Sequence, residues 1–391
     1  MTTRYARRKD EVVAAATAVL NRKGVKGMTL AEVADSVGLI TSGVTYYFRK
    51  KEDLAVACFL NAIERFDVLI AEAARGADPQ ARVRRFLELW LALQMDVRAG
   101  RAAPIANFSD MRALSPEHEA ATLGPFNAMV HRLGDLMRTP DRDWSKRELN
   151  ARANILLEQA LWSEIWLNAY DPEDLPRVVE RMFDVLAFGL APAGATVEAT
   201  PAPPPAETED ETFLIAATRL INAQGYRGAS VERISASLNL TKGAFYHHNE
   251  AKDDLVVDCF ARTYEVMRQE QHAASGPNGW ARLCAAVSGL IAFQLSERGP
   301  LLRTSALTVV PEAIREQIVA RSDRIGRRFA AMISDGIADG SIRPVDPVIA
   351  AQMLNASVNA VGELPRLAPN VTAEAAQSLY GIPVLTGLLR A

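Results

Sequence analysis

The chain has 391 residues, 49% of them hydrophobic and 23% charged, enough for two domains of ordinary size that each bury a core. Three Cys make no disulfide framework and suggest a reducing compartment, the cytoplasm. No N-terminal signal pattern is visible, and no apolar run reaches the ~18 residues of a membrane span. The net charge of −3 would argue against nucleic acid if it were uniform, so its distribution along the chain decides.

Residues 1 to 9 hold Arg4, Arg7, Arg8 and Lys9, readable as a solvated tail or as a basic arm reaching DNA phosphates or the minor groove. Residues 10 to 23 carry Val12, Ala16, Val19 and Leu20 at i, i+4, i+7, i+8 spacing, one apolar face of a supporting helix that Gly24 ends. Thr29 and Glu32 have the spacing of a reciprocal cap, opening a short helix with Leu30, Val33 and Val37. Gly38 permits a left-handed turn, Leu39 can pin it to the core, and a second short helix follows. That helix is small and polar for one turn, then aromatic, then basic, which suits a major groove and its phosphates. The expectation is a helix-turn-helix unit over 1–49. Thr41, Ser42, Gly43, Thr45 and Tyr46 would face the groove, with Thr29, Tyr47 and Lys51 on phosphates.

Residues 50 to 190 then read as a helical regulatory domain. Helical patterns run over 50–74, 78–99 (opened by Asp78-Pro79), 115–138, from Ser145 with Glu148 as its capping partner, and from Asp171-Pro172-Glu173 to near Gly189. Nothing alternates with period two for long, so the half is all-α. Trp90, Met95, Phe108, Met111, Phe126 and Met129 are core residues or the lining of an adaptable apolar cavity. Trp162 and Trp166, four apart on one helical face, are a helix–helix contact or part of such a pocket. Residues 191–207, rich in Pro and Ala, form an extended linker able to span roughly 50 Å.

The plan then repeats. At an offset of 201, residues 10–60 align with 211–261 without a gap: Ala16, Thr17, Asn21, Gly24, Gly27, Ser36 and Leu39 meet identical residues, as do Lys51, Asp53, Leu54, Val56, Cys58 and Phe59. The chain is an internal duplication, with a second helix-turn-helix unit over 208–250 and a second helical domain over 251–391. Helices are expected at 208–223, 230–237, 241–247, 251–274, 277–297, 311–338, 346–364 and 372–389. In this copy Thr241, Lys242, Gly243, Tyr246 and His247 would face the groove, with Ser230, His248 and Lys252 on the backbone. The copies differ in charge: residues 1–65 hold eleven Lys and Arg against seven Asp and Glu, residues 207–265 six against ten.

The second copy, Thr241-Lys242-Gly243-Ala244-Phe245-Tyr246-His247-His248 followed by Lys252-Asp253-Asp254-Leu255, resembles the tetracycline-repressor (TetR) family of bacterial transcription regulators. The first copy departs from that pattern, with Thr41 where Lys is usual and Thr45 where Tyr is usual. The resemblance implies an all-helical repressor that a small apolar or amphipathic effector releases from operator DNA, and it favours an effector pocket in at least one half. Members dimerise through their last two helices, so residues 145–189 would pack against 346–389 within one chain. The chain would then be a monomer acting as an intramolecular pseudo-dimer. A dimer of fused chains, or a second unit decayed into a scaffold, stays open beside it. No cofactor, metal or membrane partner is implied, since adjacent His247 and His248 diverge on a helix and lack partners at metal spacing. No phosphate loop or nucleophile elbow suggests an enzyme.

Overall fold

The computed structural model describes residues 3–192, 194–197, 209–237, 252–308, 310, 312–362, 364 and 371–390. Among these no strand forms; a lone antiparallel bridge joins Thr139 and Arg142. The first half comprises α1 (Thr3–Gly27), α2 (Leu30–Ser36), α3 (Thr41–Thr45), α4 (Lys51–Ala73), α5 (Pro79–Arg98), a 3-10 turn (Phe108–Ala113), α6 (Pro116–Asp135), α7 (Lys146–Trp166) and α8 (Leu175–Phe188). The second comprises α9 (Glu209–Gly228), α10 (Val231–Ser237), α11 (Lys252–Ala273), α12 (Gly279–Gln294), α13 (Glu312–Ala338), α14 (Pro347–Val361), α15 (Ala373–Ala376) and α16 (Ile382–Thr386). The all-α fold follows from long apolar stripes punctuated by caps. Asp78 accepts the Ala81 amide at 2.8 Å, and Ser145 and Glu148 cap each other's amides as the spacing predicts.

The duplication is visible in the backbone. α2 and α10 begin and end at positions related by the 201 offset, and α1 and α9 are both bent at the glycine that closes the apolar stripe, Gly24 at φ 64° and Gly225 at φ 73°. Side chains repeat as well. Cys58 Sγ donates to the Val13 carbonyl and Cys259 Sγ to that of Leu214, and burial pushes both thiols up to about 12. Such thiols stay protonated and unreactive.

Three sequence expectations are revised. The basic segment is helical from Thr3, so the supporting helix is longer than residues 10–23. The last helix is interrupted: Ala373–Ala376 passes through a π turn at Gln377–Gly381 into Ile382–Thr386. Pro383, which has no N–H to give to the preceding turn, stands just beyond that wide turn. The described start of the linker is also less free than its composition suggests. Ala191 donates to the Leu385 carbonyl at 3.1 Å, and the Trp280 indole donates to the Thr196 carbonyl at 3.0 Å.

α7 is buried on nearly every side, which a helix can be only when two bodies cover it. One face packs on its own domain, where the Trp90 indole donates to the Ala160 carbonyl at 2.8 Å. The opposite face meets α14 and the C-terminal helices of the second half. There Gln159 donates to the Met353 carbonyl (2.9 Å) and to Ser357 Oγ (2.8 Å), and Asn154 to the Tyr380 hydroxyl (3.0 Å). Asp184 of α8 pairs with Arg343 at 2.9 Å. These amides satisfy polar groups that burial would otherwise penalise by about 1–3 kcal/mol each.

Glu164 on α7 is the odd member of this region. Burial pushes its carboxyl from 4.5 up to about 7, against the opposing pull of Arg98 and Gln94. Between those values the folded chain holds a proton that the unfolded chain has lost, so stability falls as pH climbs through that window. Glu164→Gln should remove this slope and stabilise the protein at pH 8 by on the order of 1 kcal/mol. Thermal melts of both proteins at pH 5.5 and pH 8 check it, and equal slopes would rule Glu164 out.

Candidate nucleic-acid interface

The first helix-turn-helix is held by a few buried residues. Val33 and Ala34 of α2, Val44 of α3 and Phe48 are buried in one apolar core with Val12, Ala16, Val19 and Leu20 of α1. Val44 is the buried residue of α3, at 0% exposure, so it anchors a helix whose other side chains stay available. A Cβ on Gly43 would stand 3.4 Å from the Leu39 side chain, an ordinary contact, so crowding against the turn does not require the glycine. Gly38 takes φ 64°, as the turn requires.

The predicted groove face is accessible. Thr41, Ser42 and Tyr46 are exposed, while Gly43, Thr45 and Tyr47 are half-buried. Thr45 Oγ1 donates to the Ser42 carbonyl at 3.1 Å, back along its own helix. Tyr46 and Tyr47 form an aromatic trio with Tyr5, at 5.9 Å and 5.0 Å between ring centroids. The basic N-terminal segment is therefore packed against the end of α3. Ile40, at the N-cap of α3, is 77% exposed and was not singled out from the sequence. The adjacent pair Leu39-Ile40 carried the signal, since the turn can bury only one of them. An exposed isoleucine beside a recognition helix can contact a thymine methyl.

Several basic residues are already engaged within the protein. Arg8 pairs with Glu11 at 2.5 Å and donates to the Val37 carbonyl at 3.1 Å, tying α1 to the turn. Lys51 donates to the Lys26 carbonyl at 2.9 Å, and Lys9 lies over the Phe48 ring at 5.4 Å. Arg4 and Arg7 are exposed, Arg7 with a loose 3.7 Å approach to Glu11. Thr29 accepts the Glu32 amide at 3.2 Å, but the Glu32 carboxylate turns to Lys23 at 2.8 Å. Only half of the expected reciprocal cap thus forms, because a cation competes for Glu32.

In the second copy Ser230 occupies the place of Thr29 and accepts the Arg233 amide at 3.3 Å. The neighbouring pair has changed polarity. Lys23–Glu32 becomes Gln224–Arg233, with the guanidinium donating to the amide oxygen at 2.5 Å. Thr241, Lys242, Gly243, Tyr246, His247 and His248 lie outside the described residues, as does the side chain of Lys252. Glu211, from the acidic lead-in, is turned inward and pairs with Arg262 (3.1 Å) and Arg298 (2.6 Å). That carboxylate holds α9 to its regulatory domain rather than adding to a repulsive surface.

Of the residues named for an effector pocket, Trp90, Phe108 and Phe126 come together. Phe66 stacks on Trp90 (4.7 Å) and on Phe108 (5.5 Å), and Phe108 meets Phe126 at 5.1 Å. Met129 is buried and Met95 half-buried. Trp162 points elsewhere, donating across the junction to Gln352 at 3.1 Å, and Trp166 packs on Tyr170 at 5.8 Å. Among the described residues no group of three His, Cys, Asp or Glu is placed to hold a metal, and no helix is long and apolar enough to cross a membrane.

Comparison with known proteins agrees with this geometry. The sequence profile of bacterial regulatory proteins of the tetR family matches residues 12–58 and again 213–259, and that of a tetracyclin repressor-like C-terminal domain matches 276–363. The chain is 22% identical over 180 residues to the uncharacterized HTH-type transcriptional regulator YhgD of Bacillus subtilis (strain 168), covering 45% of this chain and 94% of that protein. Among solved structures it is similar to apo AibR, at 23% identity over 44% of this chain and 96% of the other, with a TM-score of 0.37. It is likewise similar to the TetR family regulator PfmR of Thermus thermophilus, at 21% identity over 46% and 99% of the two chains, TM-score 0.37. A tetR-family helix-turn-helix profile at both repeats, with a tetracyclin repressor-like C-terminal domain on an all-helical framework, marks this chain as a tetR-family transcriptional regulator with DNA-binding and ligand-binding domains.

Proposed function

We propose that the protein is a repressor that grips one operator as an intramolecular pseudo-dimer, through two non-identical helix-turn-helix units of a single chain. The observation that carries this reading is the buried junction between α7–α8 and α14–α16, with Gln159, Asn154 and Asp184 bonded across it. That junction joins α7 and α8 to α14–α16 within one chain, which supports a single-chain pseudo-dimer. A two-fold reader places its heads on half-sites about 34 Å apart. Non-identical heads suit an asymmetric operator. Thr41, Ser42, Gly43, Thr45 and Tyr46 would read the first half-site, and Thr241, Lys242, Gly243, Tyr246 and His247 the second. A small apolar or amphipathic effector would enter beside Trp90, Phe108 and Phe126, and would act only through its different affinity for the bound and released shapes.

Sedimentation of the free protein and of its operator complex tests the reading. One chain per operator duplex is expected, and two chains on each duplex would replace it with a dimer of fused chains. In the same assay Lys242→Ala should cost about 1–3 kcal/mol of affinity and relax preference in one half-site alone. An equal loss on every sequence would reduce Lys242 to a phosphate contact.

A further inference from the structure

We propose that Asp110 is a positioning residue that fixes the separation of the two DNA-reading units, clasping the ends of α1 and α9 with one carboxylate that only the first half supplies. This rests on the reading that both units engage one operator. Asp110 sits in the 3-10 turn Phe108–Ala113 and is 8% exposed. Its Oδ2 accepts the Val25 amide at 2.7 Å, just beyond the bend of α1. A Cβ placed on Gly24 would fall 2.9 Å from Oδ2, and one placed on Gly225, the bend of α9, would fall 3.2 Å from Oδ1. The two carboxylate oxygens therefore face one bend each. Two residues on, Arg112 donates to the Asn222 carbonyl of α9 at 2.8 Å. A positive φ at a helical bend exposes the amides that follow it, and a buried carboxylate is their strongest side-chain acceptor.

The clasp is one-sided. Asn21 holds the Ile105 carbonyl (2.7 Å) and the Asn107 amide (3.1 Å), while Asn222 holds the Leu301 carbonyl (2.9 Å) and the Arg303 amide (3.1 Å). These equivalent bonds set Asn107 against Arg303, and so Asp110 against Ala306, whose methyl side chain has no acceptor to offer. The same turn carries Phe108, packed at a tilt against Phe66 and edge-to-face on Phe126. Any rearrangement of that aromatic cluster is thereby passed to both reading units at once, from the first regulatory domain alone.

The test uses the full chain and an operator duplex that it enriches from a random pool, with variants lengthened or shortened by one base pair between half-sites. One base pair moves a half-site by roughly 3.4 Å and about 34° around the axis. Binding is followed by fluorescence anisotropy. Wild type should lose about tenfold or more in affinity at altered spacing, whereas Asp110→Ala should lose less than about threefold while keeping its affinity for an isolated half-site. Asp110→Asn, whose amide oxygen still accepts the Val25 amide, should recover part of the discrimination. Should Asp110→Ala fail to fold, Arg112→Ala, which frees only the α9 side, carries the same expectation. Unchanged spacing discrimination in these variants would overturn the proposal. A wild type that binds an isolated half-site as tightly as the full operator would instead overturn the two-unit reading, and the clasp with it.

Discussion

Gly189→Ala is expected to destabilise the protein by about 3 kcal/mol or more, among the largest effects of any single methyl group in the chain. Gly189 ends α8 at φ 67°, and a Cβ there would lie 2.2 Å from the Thr386 carbonyl carbon. The approach is mutual, since Gly387 takes φ 107° and a Cβ on it would lie 2.5 Å from the Ala187 oxygen. Between them Leu190 donates to the Leu385 carbonyl at 2.8 Å and Leu388 to that of Leu186 at 2.6 Å. Neither backbone can retreat without breaking these bonds. Gly340→Ala is the control. Its φ is also positive, at 77°, but nothing lies within 4 Å, so only the conformational cost of about 1 kcal/mol remains. Chemical denaturation measures both, and equal losses would show that the junction is not tightly apposed.

Val44→Asp should silence the first reading unit. Val44 is wholly buried and is the residue by which α3 is held, so a carboxylate there must either be desolvated or pull the helix off its support. Either outcome costs several kcal/mol locally, and operator affinity should fall roughly 100-fold or more. The regulatory domains, which contribute nothing to that contact, should melt nearly as before. Anisotropy titration beside a thermal melt separates local from global loss. A fall of less than about threefold would mean that the first unit adds little to binding.

The sequence disclosed whatever was written in local spacing. Asp78-Pro79 and Ser145 with Glu148 announced their helices, because a cap needs only residues within one turn. The duplication disclosed α9 and α10 in the same way. What depended on distant partners was hidden. The basic residues at 1–9 read as an arm, yet Tyr5 packs on Tyr46 and Tyr47, and Arg8 reaches the Val37 carbonyl. Charge pattern alone cannot separate a lysine meant for phosphate from one such as Lys51, which closes a helix end at the Lys26 carbonyl. Trp162 and Trp166 shared a predicted face, but only the tertiary fold shows that Trp162 turns to Gln352 of the other half. Asp110 was the least legible of all. Its surroundings, two glycines 201 positions apart, converge only when both halves are folded.

The backbone meeting of residues 186–190 with 385–388 has a genetic consequence. A regulator assembled from separate identical chains exchanges them, so a defective allele mixes with the normal product and poisons most of the assemblies. On the proposed single-chain reading the contacting surfaces belong to one translation product, and each molecule would be completed by its own other half. A damaged copy expressed beside a sound one should therefore leave the sound one intact, and loss-of-function alleles should behave as recessive. On the same reading, operator occupancy should depend on protein concentration to the first power rather than the second.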